Sequence, residues 1–214
     1  MSARSTRTED ALRSAADWRL LGLLLERPRP GWADEVRALA RETRDAKIRQ
    51  AAAAARGASE GQYLALLGPG GAASPREAAY CGMRDPAAVL ADVERFYRAF
   101  AFAARTEDPP DHVAVEVAFV AYLHLKEAFA LEAGDAEAAE TTRAARTAFV
   151  ADHLATTVRG LEDRLPPAFG APAVRAVGEL AGRVPLLPPG TTPAAGDEPL
   201  ECGACVTGAK RLPT

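Results

Sequence analysis

Apolar residues recur three and four positions apart along most of the chain, and no stretch alternates strictly enough to make a strand. The fold class this pattern predicts is all-α: a single bundle of about seven helices followed by a Pro/Gly-rich tail. A first helix is expected over residues 10–26, with Leu12, Ala16, Leu20, Leu23 and Leu24 in one stripe and Pro28 preventing continuation. Residues 32–56 hold neither Gly nor Pro and read as one polar, peripheral helix with a weak stripe at Val36, Leu39 and Ala40. Its run Ala51 to Ala55 favours helix but offers little to bury. A short helix over 59–67 should end at Gly68, after which Gly-Pro-Gly-Gly-Ala-Ala-Ser-Pro must be a loop.

Asp85-Pro86 spells a helix start, with Asp as cap and Pro at the first helical position. The helix behind it places Val89, Leu90, Val93, Phe96, Tyr97 and Phe100 on one broad face, a pattern of core packing. A second start is written at Pro109-Pro110-Asp111-His112, where Asp111 is the expected N-cap. The helix it opens runs to about residue 133 and stops at Gly134. Over two turns it is nearly apolar all round, with Val113, Val117, Val120 and Leu123 flanked by Phe119 and Tyr122, so it should be central. A long helix over 135–165 returns antiparallel to it, and a last one covers 172–183. Residues 1–184 therefore form the expected domain. Residues 185–214, with six prolines after Val184, form the expected flexible tail.

Composition adds limits. Hydrophobic residues make up 48% of 214, enough for one buried core, and the net charge of -3 gives no general basic field for nucleic acid or anionic membrane. The first sixty residues are locally richer in arginine than in acids, which reads most simply as a solvated helix surface. No apolar run is long enough to span a membrane, and the separated Arg4 and Arg7 do not make a twin-arginine leader. Three cysteines point to a reducing cytosol. Cys202 and Cys205 form a Cys-x-x-Cys pair, but a four-ligand zinc site needs two more ligands and no second pair exists. No resident metal or cofactor is expected.

The candidate chemistry centres on Asp111 and His112. Glu116 follows His112 by four residues, so on an ideal helix the two share a face. The plain alternative is a capping Asp followed by a solvated first-turn His. Four segments in order carry a resemblance: Ser74-Pro75-Arg76-Glu77 with Tyr80, Val93 through Phe100, Pro-Pro-Asp-His at 109–112, and Phe149-Val150-Ala151-Asp152-His153-Leu154. Together they resemble the TorD/DmsD/NarJ family over roughly residues 63–165. These are cytoplasmic chaperones that mature molybdenum-cofactor oxidoreductases and recognise their twin-arginine leaders. The loop spelling looks closest to chaperones of the ethylbenzene and dimethyl sulfide dehydrogenase group. The resemblance implies a partner-binding site at Asp111, His112, Glu116, Phe119 and Tyr80, with Asp152 and His153 nearer its edge. It also implies an apo molybdopterin oxidoreductase subunit or its signal peptide as partner, and a monomer or helix-swapped dimer as assembly.

A leader offers two guanidinium groups and an apolar segment, so its receptor needs carboxylates at one end of a greasy groove. Glu107, Asp108, Asp111 and Glu116 are the expected carboxylates, and the apolar wall is expected from the Asp111 helix with the Phe149 to His153 turn. Catalysis has no support in the pattern. There is no Gly-x-Ser-x-Gly, no phosphate loop and no dinucleotide fingerprint, and a di-iron bundle would need Glu where Pro109, Ala121 and Val150 stand. His124 reads as a core or rim histidine. The alternative function is a ligand-responsive regulator of the TetR kind. That would require a break between two short helices near residues 30–50, which the uninterrupted pattern there argues against.

Overall fold

The computed structural model describes residues 3–167 and 170–187. Nine α-helices lie among them, with no strand: α1 (Ala3–Leu24), α2 (Trp32–Leu39), α3 (Ala46–Ala53), α4 (Glu60–Leu67), α5 (Pro86–Ala99), α6 (Val113–Ala133), α7 (Ala136–Phe149), α8 (Ala155–Arg164) and α9 (Pro172–Ala181). Two single turns of 3-10 helix, Ala54–Gly57 and Glu77–Tyr80, punctuate the loops. A π turn, Val150–Leu154, joins α7 to α8 with helical backbone at both ends, so 136–164 run on as the long helix expected there.

α6 is the central element because it can be buried on nearly every side. Val113, Val117, Phe119, Val120 and Leu123 are all fully buried. α1 packs along it in antiparallel sense, as shown by Gly22 lying against Val117 and Ala118 while Trp18 stacks on His124. Gly22 permits the close approach, since a Cβ there would sit 3.3 Å from Val117. α7 returns on another side, fastened by Glu127 of α6 to Arg143 and Arg146. Gly134, at φ 76°, ends α6 in the left-handed conformation that lets the chain reverse. α5 lays Tyr97 over Phe119, Phe149 and Phe102, with ring centroids 4.8–6.0 Å apart, and these edge and tilted contacts close the core.

Three expectations need correction. α1 begins seven residues earlier than the pattern indicated, and Leu12, placed in its core stripe, is 45% exposed. Residues 32–56 are not one helix. Thr43 is buried and its hydroxyl bonds Asp17 of α1, while the Asp45 carboxylate caps α3 by accepting from the N–H groups of Lys47 and Ile48. Two side-chain acceptors thus outcompete helix continuation at 40–45. Nor is the second half peripheral: Ile48, Ala51, Ala52 and Ala55 are buried, and Arg183 beyond α9 pairs with Asp45 at 2.6 Å. Cys202, Cys205 and the tail beyond Leu187 lie outside the described residues, whereas Val184 is buried and Leu187 packs against the core.

Candidate functional site

The N-cap of α6 is His112, not Asp111. With φ -78° and ψ 131°, His112 is extended, and its Nδ1 accepts the Ala114 N–H at 3.2 Å. Asp111 is thereby free to turn inward, where it is fully buried. Arg76 grips its carboxylate through Nε at 2.9 and 3.2 Å and Nη2 at 2.9 Å, and the Ala78 N–H donates at 3.3 Å. The backbones pair as well, with the Glu77 N–H donating to the Asp111 carbonyl and the Val113 N–H to the Pro75 carbonyl. One antiparallel bridge, Arg76 to His112, stitches the Ser-Pro-Arg-Glu loop to the start of α6.

Because Nδ1 of His112 accepts, its proton resides on Nε2, which donates to the Tyr63 hydroxyl oxygen at 3.3 Å. Burial holds His112 below the usual histidine range, in keeping with a neutral ring. His112 and Glu116 consequently do not share a face. The capping residue is not helical, so the four-residue spacing does not operate, and His112 points toward α4.

Glu116 points into the interior. It is fully buried, neither carboxyl oxygen has a hydrogen-bond partner among the described residues, and burial with Glu77 nearby holds its carboxyl well above the usual range. Below it, Nδ1 of His153 donates to both oxygens of the buried Glu77 at 3.1 Å. The π turn aims this histidine, edge-on to Phe96 at 5.4 Å. Tyr80 closes the cluster by donating to the Ser74 carbonyl at 2.6 Å. Its ring packs against Gly160 of α8, where a Cβ would come within 2.1 Å, and the Arg164 guanidinium lies 4.8 Å from the ring centroid. Cys81 directs its thiol at Glu77, and burial pushes that thiol up to about 11.

The fold therefore brings together Tyr80, Asp111, Glu116 and His153, all buried, around the Glu77–Tyr80 turn. Phe119 is fully buried in the aromatic core, 4.8 Å from Phe149. Asp152 stands apart and exposed on the π turn. His124 is the rim histidine expected, stacked on Trp18 and lowered to about 4 by burial. The seam between α6 and the Phe149 to His153 turn, expected to be a trough, is filled by this packing. Of the four expected carboxylates, Asp111 and Glu116 are inside, and only Glu107 and Asp108 are at the surface.

Concavities lie on either side of the loop 101–110. One, of about 570 Å³, runs between α1 and α6, with a floor of Ala114, Ala118 and Ala121 and walls from Phe102, Tyr122 and Leu125. Arg19, Arg29 and Arg105 line its mouth with Glu26 and Asp108. The other, of about 460 Å³, lies between α4 and the glycine loop, with His112, Tyr63 and Arg76 in its lining. Asp108 lines both. The loop between them is fastened by Tyr97 donating to the Pro110 carbonyl at 2.9 Å and Tyr122 to the Phe100 carbonyl at 3.0 Å.

The sequence alone assigns no role to Arg76 or Glu77, nor to Tyr63 or Gly160. A glycine inside a helical pattern was the available signal for Gly160. Arg76 and Glu77 carry none, since their partners are 35 and 76 residues away. Among the described residues no group of three or more His, Cys, Asp or Glu is placed to hold a metal, and no helix is long and apolar enough to cross a membrane. The break at 40–45 removes the reason the sequence offered against a regulator, so the choice between the two functions falls to the comparisons with known proteins. No curated protein and no solved structure matches the chain. A family model described as nitrate reductase delta subunit matches residues 29–158, from α2 through the π turn into α8. On that match over more than half its length, the chain belongs to the nitrate reductase delta subunit family, a family of molybdoenzyme-maturation chaperones and not of enzymes.

Proposed function

We propose that the chain acts in the cytoplasm on the catalytic subunit of a molybdenum-cofactor oxidoreductase, holding an apolar segment of the unassembled subunit in the α1–α6 groove until cofactor insertion. The client belongs to the ethylbenzene or dimethyl sulfide dehydrogenase group. The observation that supports this occupant is the alanine floor of the groove. Ala114, Ala118 and Ala121 leave a channel along α6 in which a second helix can approach closely, and Leu12 of α1 and the 67% exposed Phe129 of α6 add exposed apolar surface on the same two helices. Each leucine buried there contributes roughly 1.5 to 3 kcal/mol before ordering costs, which suffices for micromolar binding. Tyr80, Asp111, His112, Glu116, Phe119 and His153 serve the site from within, holding the loop and the start of α6 in place. Asp152 is an outer contact.

The test is co-purification from a native lysate with the retained partner identified. Recovery of a molybdopterin oxidoreductase subunit, and at least tenfold loss of it in Ala118→Trp and Leu125→Asp, is the expected outcome. Retention of a specific DNA segment by the wild type would replace the chaperone with a regulator. A second reading, with the twin-arginine leader as occupant, is favoured by Asp108 lining both grooves beside the exposed Glu107. Titration calorimetry with a synthetic leader should then register about 1.5 to 3 kcal/mol less binding in Asp108→Asn, a ten- to hundredfold loss. Unaltered affinity would dispose of the leader at this position. Elution volume in the same preparation distinguishes monomer from helix-swapped dimer.

A further inference from the structure

A third concavity shares no lining residue with the grooves above. It is an apolar slot of about 210 Å³ between α2, α3 and the turn Ala54–Gly57. Val36, Ala52 and Ala55, all buried, form its floor, and Arg37, Arg41, Arg49 and Arg56, all exposed, form its rim. No carboxylate lines it. Arg37 pairs with Asp34 and Arg49 donates to the Thr43 carbonyl, while Arg41 and Arg56 have no partner among the described residues. The charge is regional: the first 57 residues carry 12 Lys and Arg against 8 Asp and Glu, in a chain carrying 26 against 29. A floor of methyl groups offers nothing to a base edge or a phosphate, but it accepts one aliphatic side chain, and the guanidinium forks suit carboxylates on either side of it.

We propose that this slot is the docking site of the chain's own acidic segment Asp197-Glu198-Pro199-Leu200-Glu201, with Leu200 in the apolar floor and the three carboxylates on the arginine rim. The segment has the required chemistry, one leucine bracketed by acids. The described chain delivers it to the right place. α9 ends beside α3, where Arg183 bonds Asp45, the cap of α3, at 2.6 Å. Ten residues from Leu187 to Asp197 span at most about 33–36 Å, and the eight residues of α3 extend only about 12 Å. Tethering makes the encounter intramolecular, so weak contacts suffice. Docking covers the basic surface of a chain that is otherwise acidic, and leaves it open to exchange with an acidic segment of another protein.

The test uses the full chain with Cys81→Ser and Cys205→Ser, carrying nitroxides at Cys202 and at Gln50→Cys on the exposed side of α3. Pulsed electron–electron distance measurement should give a short, narrow peak. Loss of that peak is expected in Arg41→Ala/Arg56→Ala, in Asp197→Asn/Glu198→Gln/Glu201→Gln, and in 0.5 M salt on the order of a 4 Å Debye length. Unchanged circular dichroism in each variant keeps a folding defect from mimicking undocking. A broad distribution in the parent chain, or a narrow peak that survives both charge removals, overturns the proposal.

Discussion

Ala118 and Phe119 are adjacent on α6 and meet different surroundings. Phe119 is enclosed by Tyr97, Phe102 and Phe149, whereas Ala118 is half-buried in the floor of an open groove. The same contrast extends along the helix. Its inner side carries Glu116 into the buried polar cluster, and another side carries Ala114, Ala118 and Ala121 to the lining of the groove. The residues that make the strongest sequence signature are thus the ones that hold the loop against the bundle. The surface able to receive a partner is written in alanines, which carry little signal.

The largest effect expected from testing this contrast comes from Phe119→Ala, which should cost about 3–5 kcal/mol in urea unfolding because the rigid aromatic core cannot close the cavity. Its neighbour Ala118→Trp should change stability by less than about 1 kcal/mol, since the added ring enters open space. Asp111→Asn comes next. Weakening a buried carboxylate that accepts from Arg76 and the Ala78 N–H should cost about 2 kcal/mol, with the Arg76 share reduced by that side chain's partial exposure. A loss confined to client binding, with the urea midpoint unmoved, would make Asp111 a contact and not a support.

Glu116 gives a subtler test through pH. Its folded carboxyl is held well above the ordinary value near 4.3, so above that pH the folded state keeps a proton that the unfolded state releases. Wild-type stability from this group is complete below about pH 4.3 and declines as pH rises toward the raised value, by at most about 1.4 kcal/mol per unit. Glu116→Gln mimics the protonated form and should gain on the wild type between pH 5 and pH 7.5. His124, stacked on Trp18 of α1, acts with the opposite sign. Its pKa of about 4 lies below the unfolded value near 6.5, so stability is lost as pH falls between them, and His124→Gln should flatten that limb of the profile. The smallest stability effect is that of Leu125→Asp, within about 0.5 kcal/mol, while client retention falls as stated above.

The sequence reads His124 as a core or rim histidine, and the structure stacks it on Trp18, because that reading rests on local composition. The reading of Asp111 as N-cap does not hold, and the reason is specific. Asp and His at successive positions can both cap a helix, and which one does so depends on whether Arg76 is available to draw Asp111 inward. The trough between α6 and the Phe149 to His153 turn failed as an expectation for a related reason: aromatic residues on facing helices fill the space between them.

By itself the sequence determined what depends on neighbours three or four residues apart: the all-α class, the central place of α6, the capped starts at Asp85 and Asp135, and the stops at Gly68 and Gly134. Tertiary structure decided what depends on groups far apart in the chain. Thr43 meeting Asp17 broke a helix that propensity alone would continue, Glu77 meeting His153 placed the π turn over the core, and α1 lying along α6 left an alanine floor open. Helical periodicity is a short-range energy that any segment expresses alone, and so is capping where a single candidate stands at the helix start, as at Asp85. A buried carboxylate or an open groove exists only once distant segments have excluded water together.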